Sequence, residues 1–229
     1  MYKYVYNKLI ERVHPEWLPF FEENKDELLF IINELNKMKT IIYPRRKDIF
    51  RALYYHSPKD IKLLILGQDP YINEINCKPE AMGLSFSVPK CHAKIPPSLK
   101  NIFTEIKNSY PNFNIPKHGL LKKWARKEKI LLLNSALTVN KGLSNSHAKL
   151  WGKFTDKLIE WFQNNNDKCI FLLMGKFAQS KSKFIHDKHM IFNCVHPSPL
   201  SAYNGFFGSN VFKDINEYLK TNNINHISW

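Results

Sequence analysis

The sequence predicts an α/β fold, with three α/β/α layers around a central, mainly parallel four-stranded sheet. Three observations predict it. Four short apolar runs, Ile61–Leu66, Ile130–Leu133, Cys169–Leu173 and Met190–Val195, have the length and continuity of strands buried on both faces. Each is separated from the next by enough chain for a crossover connection. Helical patterns fill the gaps, which is the alternation a parallel sheet requires.

Each element has its own signal. Glu27–Met38 carries Leu28, Ile31, Ile32 and Leu35 at helical spacing, and Asp48 is placed to cap a short helix through Tyr55. After the first strand, Leu99–Lys107 reads as a helix, and Trp151–Phe162 joins the second strand to the third. Gly175–Lys183 is the expected helix before the fourth strand, and Val211–Lys220 closes the chain. Asn164-Asn165-Asn166 reads as a turn. No internal repeat or composition break divides the sequence. We expect one domain over residues 1–229, with residues 1–40 a helical segment packed on it.

Composition bounds the function. Hydrophobic residues make up 44% of 229, which excludes a disordered chain. The net charge of +14 fits a polyanionic partner, nucleic acid above all, or a lysine-rich solvated surface. The cations are spread over the chain (Arg45, Arg46, Lys47, then Lys122, Lys123, Arg126, Lys127, then Lys176, Lys181, Lys183), so the charge belongs to a folded surface. Cys77, Cys91, Cys169 and Cys194 lack CxxC spacing, and two sit in apolar runs. Free thiols in a reducing compartment are expected, with Cys77, Cys91 and His92 only a thin metal pattern. The N-terminus is too polar for a signal peptide and no apolar run reaches spanning length. The expectation is a soluble intracellular protein, cytoplasmic or nuclear, without a membrane partner.

The chemistry lies at the strand ends. The first strand ends in Gly67-Gln68-Asp69-Pro70-Tyr71, the second at Asn134, the third at Gly175-Lys176 and the fourth at His196. Carboxyl ends of parallel strands share one edge, so these residues converge on a single cleft. Taken singly, Asn134 reads as a helix cap, His196 as a turn residue and Gly175 as a loop glycine. Together, a carboxylate, an amide, an imidazole and a Gly-Lys turn make a site. Pro70 fixes its own φ and biases Asp69 to extended backbone, so the turn holds Asp69 and Tyr71 in one pose.

From about Ile41 to Trp229 the chain resembles the family-1 uracil-DNA glycosylases. The resemblance rests on LLILGQDPY (Leu63–Tyr71), GLSFSV (Gly83–Val88), PPSL (Pro96–Leu99), LLLNSALTV (Leu131–Val139) and HPSPLSAYNGFFGS (His196–Ser209). Weaker echoes are IIYPRR (Ile41–Arg46) and SHAKLWGKFTD (Ser146–Asp156). The resemblance implies a DNA-repair hydrolase that flips uracil from single- or double-stranded DNA and cleaves its N-glycosidic bond. A monomer needing neither metal nor cofactor is expected. His196 would be a neutral donor to uracil O2, and Asp69 would orient the attacking water and favour the cationic sugar. Asn134 would read uracil O4 and N3–H together, which cytosine cannot match. Phe86 would stack on the base, Gln68 would line the pocket, and Tyr71 would fill the space beside C5 where thymine carries its methyl. Ser98, Gly175, Lys176, Ser198 and Ser201 would contact phosphates, and Leu200 would wedge into the duplex.

The sequence also departs from that pattern. Ile72 stands where the family usually has a His that helps place the water, Lys176 replaces its usual Ser, and Asn204 replaces a common Arg. The segment Ile72–Met82 is several residues longer than the family's and lacks periodicity, so it reads as a flexible surface loop on the water side. Its Asn73 or Glu74 is placed to hydrogen-bond the water. Two other classes compete: a non-catalytic DNA-binding scaffold, which would have lost Asp69, Asn134 or His196, and a metal-dependent nuclease, which needs clustered carboxylates where only Asp69 stands.

Overall fold

The computed structural model describes residues 2–92 and 94–229. Three helices come first: α1 (Tyr2–Ile10), α2 (Leu18–Glu23) and α3 (Lys25–Lys37). Next come β1 (Ile42–Tyr43), β2 (Leu63–Gly67), β3 (Glu74–Ile75), β4 (Lys78–Pro79), α4 (Pro97–Ser109), α5 (Lys122–Lys127), β5 (Ile130–Asn134) and β6 (Val139–Asn140). The rest is α6 (Ala148–Asn164), β7 (Ile170–Met174), α7 (Gly175–Gln179), β8 (Met190–Cys194) and α8 (Val211–Thr221). The central sheet has the order β5-β2-β7-β8, and all three pairings are parallel.

Alternation along the strands builds the three layers. Leu64, Leu66, Leu131, Leu133, Phe171 and Leu173 enter one core with Trp17, Phe20 and Phe21 of the N-terminal region and Trp151, Phe154 and Phe162 of α6. Leu63, Ile65, Leu132, Ile170 and Leu172 enter the other with Leu99, Ile102 and Phe103 of α4 and Phe212 and Ile215 of α8. Every residue of β2, β5 and β7 is buried, which is why these strands read as unbroken apolar runs. In β8, at one edge of the sheet, only Cys194 is buried. Cys169 and Cys194 are buried free thiols, while Cys77 and Cys91 are exposed. Among the described residues no helix is long and apolar enough to cross a membrane.

Three local expectations are corrected. Asp48 does not cap a helix: it ends one 3₁₀ turn (Arg46–Asp48), and its carboxylate takes the guanidinium of Arg51, which opens a second turn, Arg51–Leu53. An opposite charge three residues ahead outcompetes the backbone N–H groups a cap would satisfy. The helix expected over Gly175–Lys183 stops at Gln179 and gives way to a 3₁₀ turn, Ser182–Phe184. The segment from Ile72 to Met82 is not a structureless excursion. Its middle is the β3–β4 hairpin, with Glu74 opposite Pro79 and Ile75 opposite Lys78. Asn76 and Cys77 both take positive φ, 51° and 58°, as the favoured two-residue hairpin turn requires.

Candidate active site

A cavity of about 220 Å³ opens at the carboxyl edge of the sheet, lined by Gln68, Asp69, Tyr71, Phe86, Asn134 and His196 among others. It is smaller than the roughly 300–1,000 Å³ of sites for drug-sized ligands, a size suited to a single base. Gly67 and Asn134 are register partners at the ends of β2 and β5, so the amide and the Gln68–Tyr71 turn leave the sheet side by side. The backbone fixes them there: Ser135 N–H donates to Gly67 O and Ala136 N–H to Gln68 O, each at 2.9 Å. A Cβ on residue 67 would lie 2.1 Å from Asn134 Oδ1. Only glycine lets that amide lie across the strand end.

His196 is held from three sides. Ser198 N–H donates to its Nδ1 at 3.1 Å, which leaves the proton of the neutral ring on Nε2. Burial pushes the imidazole pKa below its ordinary value, so the ring is neutral at pH 7. Ser201 Oγ donates to the His196 carbonyl at 2.8 Å, and Asn101 Nδ2 of α4 donates to Pro197 O at 2.9 Å. Behind the ring, Gly175 has φ +85°, and a Cβ there would meet His196 Cβ at 2.7 Å. The glycine after the third strand thus makes room for the histidine after the fourth.

Asp69 presents one oxygen to the protein. Its Oδ2 accepts from Ser144 Oγ at 2.8 Å and from Asn145 N–H at 2.6 Å, and Gln68 Nε2 donates to Asn145 Oδ1 at 3.3 Å. Tyr71 donates its hydroxyl to Phe86 O at 3.2 Å, and burial first, then Glu80, pushes the phenol pKa up, so it stays a neutral donor. Phe86 has φ +60°, a conformation that costs a bulky residue on the order of 1–3 kcal/mol and clusters at functional sites. That bend sets its ring 6.3 Å from the imidazole across the cavity wall.

The expected DNA-side residues divide. Ser98, in the first turn of α4, lines the cavity itself. Gly175 and Lys176 line a neighbouring cleft with Gln68 and His196, and Lys176 is exposed. Ser198, Leu200 and Ser201 lie outside the cavity wall on the loop after β8, where Leu200 is 93% exposed. Tyr203, one turn further on, is 87% exposed, and nothing in the sequence singles it out. Ser144 and Asn145 also escape sequence reasoning. They reach Asp69 across some 75 residues of chain, partly through a backbone N–H, and only the weak SHAKLWGKFTD echo beside them hints at that region. The Glu74 carboxylate takes the Tyr43 hydroxyl and the Lys141 ammonium.

The profile of the uracil DNA glycosylase superfamily matches residues 54–220, a span that holds the whole cavity wall. The chain belongs to the uracil DNA glycosylase superfamily. It is 43% identical to the uracil-DNA glycosylase of Buchnera aphidicola subsp. Cinara cedri over 219 residues, covering 93% of this chain and 94% of that one. The uracil-DNA glycosylase of Desulfitobacterium hafniense is 48% identical over 189 residues, 82% of each chain. Among solved structures, mimivirus uracil-DNA glycosylase superposes with a TM-score of 0.89 at 32% identity, covering 96% of this chain and 88% of that one. The glycosylase fold therefore extends beyond the profile match into the N-terminal helices.

Proposed function

We propose that this protein flips uracil out of DNA and hydrolyses its N-glycosidic bond, releasing free uracil and leaving an abasic site. Excision of uracil in DNA repair is the activity of its family. The observation that carries the reading here is the convergence of Asp69, Asn134 and His196 on one small cavity. The bond breaks towards a uracil anion and a cationic sugar, so the site must stabilise opposite charges on its two sides.

His196 serves the anion. Its Nε2–H donates to uracil O2, and a neutral donor fixed in advance strengthens its hydrogen bond as charge develops on that oxygen. Asp69 serves the other side: its carboxylate orients the attacking water and favours the cationic sugar. Asn134 offers an acceptor to N3–H and a donor to O4, whereas cytosine presents the reverse pattern and leaves a buried amide mispaired. Phe86 stacks on the base, and Tyr71 occupies the space beside C5. Gln68 lines the pocket. Ser98, Gly175, Lys176, Ser198 and Ser201 hold phosphates through hydroxyls, backbone N–H groups and one ammonium, and Leu200 fills the step that the base leaves. The scheme takes one protein copy and draws on no metal or cofactor. The test is incubation with uracil-containing oligonucleotides in excess EDTA, which should yield free uracil and alkali-labile abasic sites. Absence of free uracil, with strands that stay intact through alkali treatment after prolonged incubation, would refute it.

A further inference from the structure

We propose that Ser144 is a positioning residue for Asp69, and that the β3–β4 hairpin is the strut that holds Ser144 in place. The inference rests on the reading of Asp69 as the water-orienting carboxylate. Two donors, Ser144 Oγ at 2.8 Å and Asn145 N–H at 2.6 Å, converge on the same oxygen, Oδ2. Two short bonds on one oxygen fix the rotation of the carboxylate about its last bond and leave Oδ1 for the water. Ser144 also lines the cavity, so its hydroxyl works at the site rather than behind it.

The turn carrying these donors is tied down on every side. Its base, β6, pairs with β1, Ile42 opposite Asn140 and Tyr43 opposite Val139. Lys141 N–H donates to Ile41 O at 2.8 Å, and Gly142 N–H donates to Ile72 O at 2.9 Å, immediately after the Asp69-Pro70-Tyr71 turn. Inside the turn, Asn140 N–H donates to Ser146 Oγ at 2.8 Å, and Asn140 Oδ1 meets His147 Nε2 at 3.0 Å. The hairpin closes the frame: Glu74 takes the Lys141 ammonium and the Tyr43 hydroxyl together, bridging the two sides of the β1–β6 pair. Glu80 N–H donates to Asn73 O at 3.0 Å and seals the hairpin's base. The long segment thus bears on the water side by bracing the Lys141–Asn145 turn.

Single-turnover uracil release and DNA affinity, measured on the full chain, test this. Ser144→Ala should lower the release rate about tenfold, less than the roughly 10² that a fully displaced group can cost because the Asn145 N–H still holds Oδ2, with DNA affinity unchanged. Ser144→Thr, which restores a hydroxyl, should recover most of it. Glu74→Gln should lower the rate less, and its effect should shrink in the Ser144→Ala background, where the brace acts on Asp69 only through the Asn145 N–H. A wild-type rate for Ser144→Ala, or a loss confined to DNA affinity, overturns the positioning role. Fully additive effects of Glu74→Gln and Ser144→Ala overturn the strut. Asp69→Asn run alongside separates the layers. A fast Asp69→Asn removes the reading of Asp69 itself, whereas a slow one beside an unimpaired Ser144→Ala removes only this proposal.

Discussion

The backbone N–H of Ser198 points at Nδ1 of His196, 3.1 Å away, and this one contact decides which nitrogen of the ring carries the proton. A tautomer is invisible in a sequence, yet the proposed chemistry depends on it. With Nδ1 an acceptor and the pKa lowered by burial, the ring offers one N–H and no charge. A neutral ring fixed in advance as a donor strengthens its hydrogen bond as negative charge develops on the leaving base.

The first prediction rests on that neutral ring. His196→Ala should lower single-turnover uracil release by roughly 10²–10³, the scale for removing one preorganised donor. Asp69→Asn should fall at least as far, while the DNA affinity of both stays close to that of the wild type. Quench-flow measurement of base release beside equilibrium binding checks both numbers. A large loss of affinity at an unchanged release rate would recast the two residues as docking groups.

The second prediction concerns the strand end. Gly67→Ala forces a methyl to 2.1 Å from Asn134 Oδ1 and 2.9 Å from Ser85 Cβ, and Ser85 is buried. The amide must swing away, because the Ser85 side cannot yield without disturbing the core. Uracil release should fall by about 10². Inhibition by free uracil, a direct reading of base binding, should weaken in parallel. Preserved uracil inhibition would mean that Asn134 does not read the base.

Much of this geometry was legible in the sequence because strands buried on both faces are continuous apolar runs whose carboxyl ends must align. That rule alone brought Asp69, Asn134, Gly175 and His196 together. The hairpin escaped because strands of two residues have no period, and its turn pairs Asn76 with Cys77, a residue that gives no turn signal. The Ser144–Asp69 contact escaped for a different reason. It depends on how a turn is braced by β1, Ile72 and Glu74, none of which is local to Ser144. Asn166, read as part of a turn, is buried and donates to Pro58 O and Ile61 O. A polar residue in an Asn-rich stretch gives no hint that it will anchor the entry to the first strand.

Histidines also set the expected response to acid. Burial is the main cause that lowers the pKa of His56, His147, His189 and His196. In the unfolded chain they titrate near the ordinary value of about 6.5, so below that pH the unfolded state binds more protons than the native one. Stability should be full above about pH 6.5 and decline as pH falls towards the lowered native values. A second decline should come in the carboxylate range, where the Asp60 pKa is held down by Ser57 and Lys129. Urea unfolding from pH 8 to 4 at fixed salt measures this. His189→Gln should flatten the first decline by at most about 1.4 kcal/mol per pH unit, the contribution of one proton. A midpoint constant from pH 7.5 to 5 would contradict this linkage.

Leu200 allows function to be separated from stability. At 93% exposure it contributes almost nothing to the folded state, so Leu200→Ala should leave thermal unfolding within about 0.5 kcal/mol of wild type. Its backbone N–H is held 3.3 Å from Ser198 Oγ, on the same loop that sets the His196 tautomer, so the backbone that carries the side chain is tied to the site. If it fills the step vacated by uracil, it matters only where a stack has to be opened. Unstacking costs a few kcal/mol in a duplex and much less in a single strand. Leu200→Ala should therefore slow excision from double-stranded DNA about tenfold or more, and excision from single-stranded DNA much less. The ratio of the two rates, taken with one enzyme preparation and one sequence context, is the informative quantity. Equal losses on both substrates would make Leu200 a general contact with the DNA rather than a wedge.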